Sequence, residues 1–321
     1  MSARRVHRGF SLVEVMVALL LFSIVAAALF SSIIVIGRAQ AAAARIDVAQ
    51  GGVRAALDVI TRDLEMASAG ARSGAITMAS GSPAQVNAIV VTDSATAADR
   101  LDLMLIDPTA QATLLAAFGP GSTTLTVDNA ASFHVGDSVQ LSDLSVAVVL
   151  SAIAVGATSL TVSAPTNPLP RTFPPGSYVF RSKSVSYYVD TTMFGAQGQD
   201  PVLMYDPDGA AGPLPPQPIA EGIEDLQVAL GFDLAGTGVL TNVGKVPGDD
   251  SWVGNVAGET APASLAQLRS VRLTLVARPS STLPGPPSVR PAAEDHPAAA
   301  KADSFPRRVL HSEVAVRNFN L

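Results

Sequence analysis

The chain has 321 residues, a formal net charge of −6 and no cysteine. The lack of cysteine excludes disulfide bonds, thiolate nucleophiles and cysteine-ligated metals. Three of the 21 basic residues, Arg4, Arg5 and Arg8, lie within the first eight residues, so the rest of the chain is more acidic still, which argues against a nucleic-acid partner. Apolar residues make up 48% of the chain and charged residues only 15%, and the length suits one large domain or two ordinary ones.

The N-terminus is a basic leader followed by a long apolar run. The run "FSLVEVMVALLLFSIVAAALFSSIIVI" occupies residues 10–36, directly after Gly9. A helix of this length would span roughly 40 Å, enough to cross a bilayer core. Basic residues precede it: Arg4, Arg5 and Arg8. They predict that the start of the helix faces the cytoplasm and that the body is exported.

Glu14 is the charged residue inside this run, and no Lys or Arg lies between Phe10 and Gly37. A lone acid in a membrane helix costs about 2.5–3.5 kcal/mol. A signal peptide cut near Ala26–Ala28 leaves the apolar residues that follow unexplained, and a plain membrane anchor leaves Glu14 without a partner. Cleavage between Gly9 and Phe10 supplies one, because the new α-amino group of one subunit can pair with Glu14 of its neighbour.

The basic leader, Gly9, Phe10, Glu14 and the long apolar helix resemble the class III leader of type IV prepilins and pseudopilins. Ser11 stands where many members of that family have Thr. The resemblance implies cleavage by prepilin peptidase between Gly9 and Phe10, N-methylation of Phe10 and assembly through Glu14.

The same resemblance implies a set of partners and a location. The partners are prepilin peptidase, other major and minor pilins, the inner-membrane assembly platform and the lipid bilayer. The location is the inner membrane, with the N-terminus cytoplasmic and the body exported, and then a pilus or pseudopilus on the cell surface.

Residues 37–69 predict an amphipathic continuation of the helix, whose apolar face should pack on a sheet. Apolar residues recur every three or four positions: Ile46, Ala49, Val53, Leu57, Ile60 and Leu64. The opposite face carries charged residues that we interpret as solvated. Gly51 and Gly52 predict a soft point or kink, and Gly70 predicts the end of the helix, which we expect near Ser68. The segment resembles PilW-type minor pilins and J-type pseudopilins of type II secretion.

Residues 70–321 predict a β-rich globular domain, because the periodicity changes to two. We expect strands at 86–93, 100–107, 122–127, 137–141, 145–155, 158–162, 184–190, 202–205, 268–278 and 307–318, and a turn that leads into a strand at 218–233. The strands at 184–190 and 202–205 should form a hairpin. The order of these segments again resembles PilW-type and J-type proteins.

Two stretches of this domain stand apart. Gly121–Val127 and Gly156–Val162 agree at five of seven positions. Two similar hairpins in a β-subdomain inserted at 120–165 would explain this, and coincidence in a region rich in Thr, Val and Gly is the alternative. Residues 279–304 are Pro-rich and predict a mobile loop. The fold prediction is therefore α+β: a long N-terminal helix, half transmembrane and half amphipathic, packed on an antiparallel β-sheet with a β-rich insertion.

No catalytic arrangement or cofactor motif emerges from the remaining residues, so we predict that the chain is not an enzyme. His134, His296 and His311 lack metal-binding spacing. Asp206 and Asp208 are weak candidates for a calcium loop, but the full loop pattern is absent and a proline-rich turn is the favoured interpretation.

We predict a minor type IV pilin that acts in pilus initiation or near the tip, with possible roles in cell adhesion and twitching motility. A J-type minor pseudopilin of a type II secretion system is an alternative. A membrane-anchored or secreted β-rich adhesin that binds a ligand through residues 120–165 is another.

Overall fold

The computed structural model describes residues 12–67, 69–72, 74–194, 200–209, 212–240, 250–254, 265–280, 282 and 286–316. The chain divides into two compact units, Met1–Val48 and Ala49–Leu321. The first unit is helical in its described residues. The helix α1 (Leu12–Met66) begins in this unit and ends in the second, which also contains every described strand.

The last turns of α1 are amphipathic, as the sequence predicts. Four predicted residues of the apolar face are buried, namely Val53, Leu57, Ile60 and Leu64. Arg54, Asp58 and Arg62 on the opposite face are exposed. The helix continues through Gly51 and Gly52 without interruption, and Ile46 is half-buried.

The end of α1 lies against strand β6 (Ser138–Ser142). The Gln140 side-chain amide donates to Ala69 O at 2.8 Å, and the Ser142 hydroxyl donates to Gly70 O. Gly70 has a φ of 82°, a left-handed conformation that glycine adopts without strain. A Cβ at Gly70 would lie 3.1 Å from both polar side chains. The helix therefore ends four residues before Gly70 because that glycine turns the chain onto β6.

The strands of the second unit are β1 (Ala75–Met78), β2 (Gln85–Asn87), β3 (Ile89–Thr92), β4 (Arg100–Thr113), β5 (Thr124–Thr126), β6, β7 (Ala147–Val155), β8 (Ser159–Val162), β9 (Tyr178–Phe194), β10 (Asp200–Asp206), β11 (Gln217–Glu221), β12 (Ile223–Phe232), β13 (Ser251–Val253), β14 (Leu268–Ala277) and β15 (Arg308–Ala315).

These strands form two sheets rather than the one that we predicted. The larger sheet has the order β11-β10-β9-β6-β7-β1-β2, with β4 paired to β9 and β3, and β8 paired to β7 and β5. The smaller has the order β13-β12-β14-β15. All pairs are antiparallel except β1 with β7, where Ile76 aligns with Ala147. The prediction of an α+β fold with a mainly antiparallel body is confirmed, and β9 and β10 form the expected hairpin.

One predicted strand is divided at a glycine. The segment 218–233 contains β11 in the larger sheet and β12 in the smaller, with Gly222 between them at a φ of 76°. A Cβ at Gly222 would lie 2.2 Å from the carbonyl oxygen of Arg278. The chain changes sheets at the one residue type that this close approach allows.

The main core joins α1 to both sheets. It contains Ile60 and Leu64 of the helix, Leu103 and Tyr187 of the larger sheet, and Leu273 of the smaller sheet, all nearly or fully buried. Because the helix fills the space over two sheets, the apolar faces of all three elements are removed from water together.

Residues 112–179 contain a second apolar core, which includes Leu125 and Leu160. We had predicted that the two similar segments form two separate hairpins, and this prediction is wrong. They pair with each other as β5 and β8, in a register that places Leu125 opposite Leu160. Each leucine occupies the same position of its segment, so a local two-fold axis relates the two segments. The two segments together form one antiparallel strand pair.

A buried hydroxyl links α1 to the centre of the larger sheet. Tyr187 on β9 is fully buried and donates to the carboxylate of Asp63 on α1 at 2.6 Å. Burial and the Asp63 carboxylate raise the pKa of Tyr187 well above its usual range. The tyrosine therefore stays a neutral donor and positions the helix on the sheet.

We expect Tyr187→Phe to lower the free energy of unfolding by about 1–3 kcal/mol, because the change removes a hydrogen bond to a charged group. Urea denaturation of the full chain in detergent solution measures this. Tyr178→Phe is the control, since Tyr178 is 42% exposed, and its stability should equal that of the unsubstituted chain. Equal stability of all three proteins would contradict a positioning role for Tyr187.

Candidate functional site

The N-terminal part of α1 is apolar and exposed. Residues Leu12–Ala41 form the one helix of the described chain that is long and apolar enough to cross a membrane, with a mean hydropathy of 2.8. Its large side chains are exposed, among them Leu12, Phe22 and Phe30 at 79%, 71% and 68%. An exposed apolar surface of this length requires lipid or other protein around it.

Glu14 lies in the first turn of α1 and is exposed. Val15, Ala18, Leu19 and Phe22 line a shallow groove beside it. The carboxylate therefore stands at the positive end of the helix dipole, in an apolar setting. The predicted processing residues, Gly9 and Phe10, lie outside the described residues.

Of the weak calcium candidates, Asp206 is the last residue of β10 and Asp208 lies in the turn that follows it. The Asp208 amide donates to the Asp206 carboxylate at 3.4 Å, and the Leu214 amide donates to the Asp208 carboxylate at 2.9 Å. Across the described ranges, no group of three or more His, Asp or Glu side chains has an arrangement that could hold a metal ion. The contacts that the structure gives these two acids are those of a turn.

The smaller sheet carries polar side chains on the face away from the main core. Asp225 and Gln227 on β12 and Thr274 on β14 are fully buried. Residues 286–304, which we name the strap, cover this face. The sequence predicted a mobile loop at 279–304, and residues 286–304 of it are tied to β12 and β14 by several polar contacts.

Asp225 is the centre of these contacts. Its carboxylate accepts from the Arg290 guanidinium at 2.8 Å and lies 2.8 Å from Nδ1 of His296. The Gln227 amide donates to it at 2.9 Å. A buried carboxylate is stable only when it is paired and hydrogen-bonded, so this acid holds both strap residues in place.

A second anchor holds the turn of the strap. Glu294 has a φ of 48°, and its carboxylate accepts from the Arg272 guanidinium at 2.9 and 2.6 Å and from the Thr274 hydroxyl at 2.8 Å. The paired guanidinium contact fixes the direction of the turn. Sequence reasoning missed this network. The signal was the alternation of Asp225 and Gln227 with apolar residues in β12, which indicates a polar face that something must cover.

Asp99 lies along the edge of β12 that does not pair with β14. Its amide donates to Leu226 O at 2.8 Å, and its carboxylate accepts from the amides of Val228 and Ser94 at 2.8 and 2.9 Å. Burial, opposed by these two hydrogen bonds and aided by Asp93 and Asp295, raises the pKa of Asp99 to about 7. The side chain takes the place of a strand partner where β13 does not reach.

We expect the free energy of unfolding to fall as the pH rises from 3.8 to about 7, because in this window folded Asp99 keeps a proton that the unfolded chain releases. Asp99→Asn should flatten the dependence. Urea denaturation at a series of pH values measures it.

The control for this experiment is Asp107→Asn. Its hydrogen bond with Arg181 lowers the pKa of Asp107 to about 2, so its titration affects stability below this window. An Asp99→Asn profile parallel to that of the unsubstituted chain would contradict the assignment.

Two family models match the chain. The Prokaryotic N-terminal methylation motif matches residues 4–30, and Type IV Pilus-assembly protein W matches residues 186–318. The second match begins within β9 and contains the whole smaller sheet and the strap. A search of curated proteins finds no match.

The two matches confirm the predicted resemblance to type IV prepilins, and most of all to PilW-type minor pilins. They come from separate parts of the chain, one from the apolar helix and its leader and one from the sheet-forming body. The chain therefore has an N-terminal methylation motif at residues 4–30 and a region similar to Type IV Pilus-assembly protein W at residues 186–318.

Proposed function

We propose that this chain is a minor type IV pilin, processed between Gly9 and Phe10 and built into a pilus through its N-terminal helix. One observation carries the proposal: a methylation motif at residues 4–30 leads into an exposed apolar helix at Leu12–Ala41. The motif suits cleavage by a leader peptidase. The apolar helix suits first a membrane and then a filament.

The physical role of the helix is to exchange one apolar environment for another. In the inner membrane, lipid covers side chains such as Leu21 and Ile34, which are otherwise more than half exposed. In a filament, the helices of neighbouring subunits cover them. Both environments are apolar, so the transfer requires little change in apolar burial.

Glu14 sets the position of each subunit relative to its neighbour in the filament. Cleavage after Gly9 leaves an α-amino group on Phe10, a few residues from the acid. Within an apolar environment an unpaired carboxylate is costly, so Glu14 favours the position at which it meets the amine of a neighbouring subunit. N-methylation of Phe10 keeps the positive charge that this pairing needs.

The body supplies the part of the function that is specific to this chain. The body has its own core, formed by the second half of α1 and both sheets. The PilW-type region includes the smaller sheet, which the strap covers. We propose that this body initiates assembly or lies near the tip, where its partners are other pilins and the assembly platform. It carries out no catalysis.

A J-type minor pseudopilin is the second candidate, since the sequence of the amphipathic half of α1 also resembles those proteins. Neighbouring genes distinguish the two: a retraction ATPase and a major pilin indicate a pilus, whereas a secretin and a secretion ATPase indicate type II secretion. The adhesin alternative draws on the separate core at residues 112–179. It predicts cleavage near Ala28 or no cleavage.

We expect the mature chain to begin at N-methyl-Phe10. Mass spectrometry of the N-terminal peptide, from membrane and sheared-filament fractions, measures this directly. Gly9→Val is the matched variant and should keep the leader, because the resemblance to prepilins implies cleavage directly after a glycine. A mature chain that begins near Leu29 or at Met1 would contradict processing as a prepilin.

We expect Glu14→Ala to reduce the amount of the chain in sheared filaments by about tenfold or more, because one charge of a pair is then left uncompensated in an apolar environment. Quantitative immunoblots of filament and membrane fractions measure the ratio. Val15→Ala, a neighbouring change on the same exposed helix, is the control and should leave the ratio unchanged. Normal incorporation of Glu14→Ala would refute the pairing.

A further inference from the structure

The smaller sheet ends in a long open edge at β15. This strand has eight residues and pairs with β14 without a register shift. The other strands of the described chain that have one paired side, β2, β3, β5, β11 and β13, have three to five residues. Short strands are a common protection of sheet edges, and a proline is another. The longest of these five, β11, contains Pro218, whereas β15 is longer than any of them and contains no proline.

The register identifies which backbone groups of β15 face outward. The Val316 amide donates to Arg269 O at 2.9 Å, so Val316 and every second residue before it, such as Val314 and Ser312, bond to β14. The groups of the alternate residues point away from the sheet: Val309, His311, Glu313 and Ala315. Within the described parts of the chain, no backbone hydrogen bond reaches these groups.

The side chains along this edge leave room for another strand. Arg308, His311, Glu313 and Ala315 are exposed, while Val314 is buried against the main core. An extended segment that added to β15 would satisfy the outward N–H and C=O groups, which neither a helix nor a lipid surface can do at regular spacing. The edge is therefore suited to a β-strand.

The sequence of β15 complements itself in one register. When two copies run antiparallel with the centre at Ser312, all residues from Arg308 to Val316 overlap. His311 then lies opposite Glu313 twice, and the outward backbone groups of both copies face each other in hydrogen-bonding pairs. A shift of two residues either way places His311 opposite itself or Glu313 opposite itself, and the second of these is repulsive.

We propose that β15 pairs antiparallel with β15 of a second copy of this chain, about a two-fold axis at Ser312. The two smaller sheets then form one continuous sheet of eight strands. Leu310 of each copy lies opposite Val314 of the other on the core side, and Val309 lies opposite Ala315 on the outer side. Two edge strands bury little surface, so the dimer is weak and reversible. The pairing does not depend on the filament function proposed above.

Cysteine cross-linking tests this, because the full chain has no cysteine of its own. Ser312→Cys places one thiol on the two-fold axis, where residues of a non-hydrogen-bonded antiparallel pair are close enough for a disulfide. Mild oxidation of membranes from cells that express this variant should give a dimer on a non-reducing gel. Gln85→Cys is the control, since Gln85 is exposed on the three-residue edge strand β2 and should give only collisional dimer.

Two further variants separate strand pairing from chance contact. Ala315→Pro, added to Ser312→Cys, removes an outward N–H that β14 does not use, so it should abolish the dimer and keep the fold. His311→Glu should reduce the dimer by about fivefold, because like charges then face each other. Exchanging the two residues, His311→Glu with Glu313→His, should restore it.

The outcomes decide between this pairing and its alternatives. Dimer from Ser312→Cys no greater than from Gln85→Cys overturns the proposal, as does a cross-linked product whose mass identifies a different protein on β15. Light scattering gives a second test that does not depend on an introduced cysteine. The unsubstituted chain in detergent solution should have the mass of a dimer, and the chain with Ala315→Pro alone should have the mass of a monomer. Equal masses for these two proteins would also overturn the proposal.

Discussion

The body of this protein depends on the burial of one face of the second half of α1. Val53, Ile60 and Leu64 fill the space over two sheets that share no backbone pairing. The helix is thus an apolar layer that both sheets share. The Tyr187 hydroxyl and the Asp63 carboxylate then select one position of the helix, because a buried donor and its acceptor satisfy each other in only one register.

The same helix faces two kinds of environment along its length. Its first part is apolar all round and exposed, and its last turns carry charged residues on one face only. A helix that is apolar all round suits lipid or a bundle, and an amphipathic one suits a sheet. The part of α1 that is long and apolar enough to cross a membrane and the part that packs in the core of the body are therefore separate parts of one helix.

The smaller sheet shows how buried carboxylates are compensated by neighbouring donors. Asp225 and Glu294 are each paired with a guanidinium and with further donors, so the cost of removing these charges from water is offset by complete hydrogen bonding. The strap is thereby part of the fold and leaves β15 as the open edge. The PilW-type region thus covers a face and exposes an edge, and the edge is where a partner strand can add.

The sequence by itself determined the N-terminal helix, its change from apolar to amphipathic, the position of Glu14 and most strands, because each follows from local periodicity and from the cost of a lone charge in lipid. Only the tertiary structure decided the division into two sheets, the parallel pairing of β1 with β7 and the pairing of β5 with β8. Strand partners are chosen by contacts between residues far apart in the chain, which no local pattern records. The prolines of the strap indicate a loop, but not its contacts: Arg290 and His296 meet Asp225, an acid 65 residues before Arg290 in the sequence.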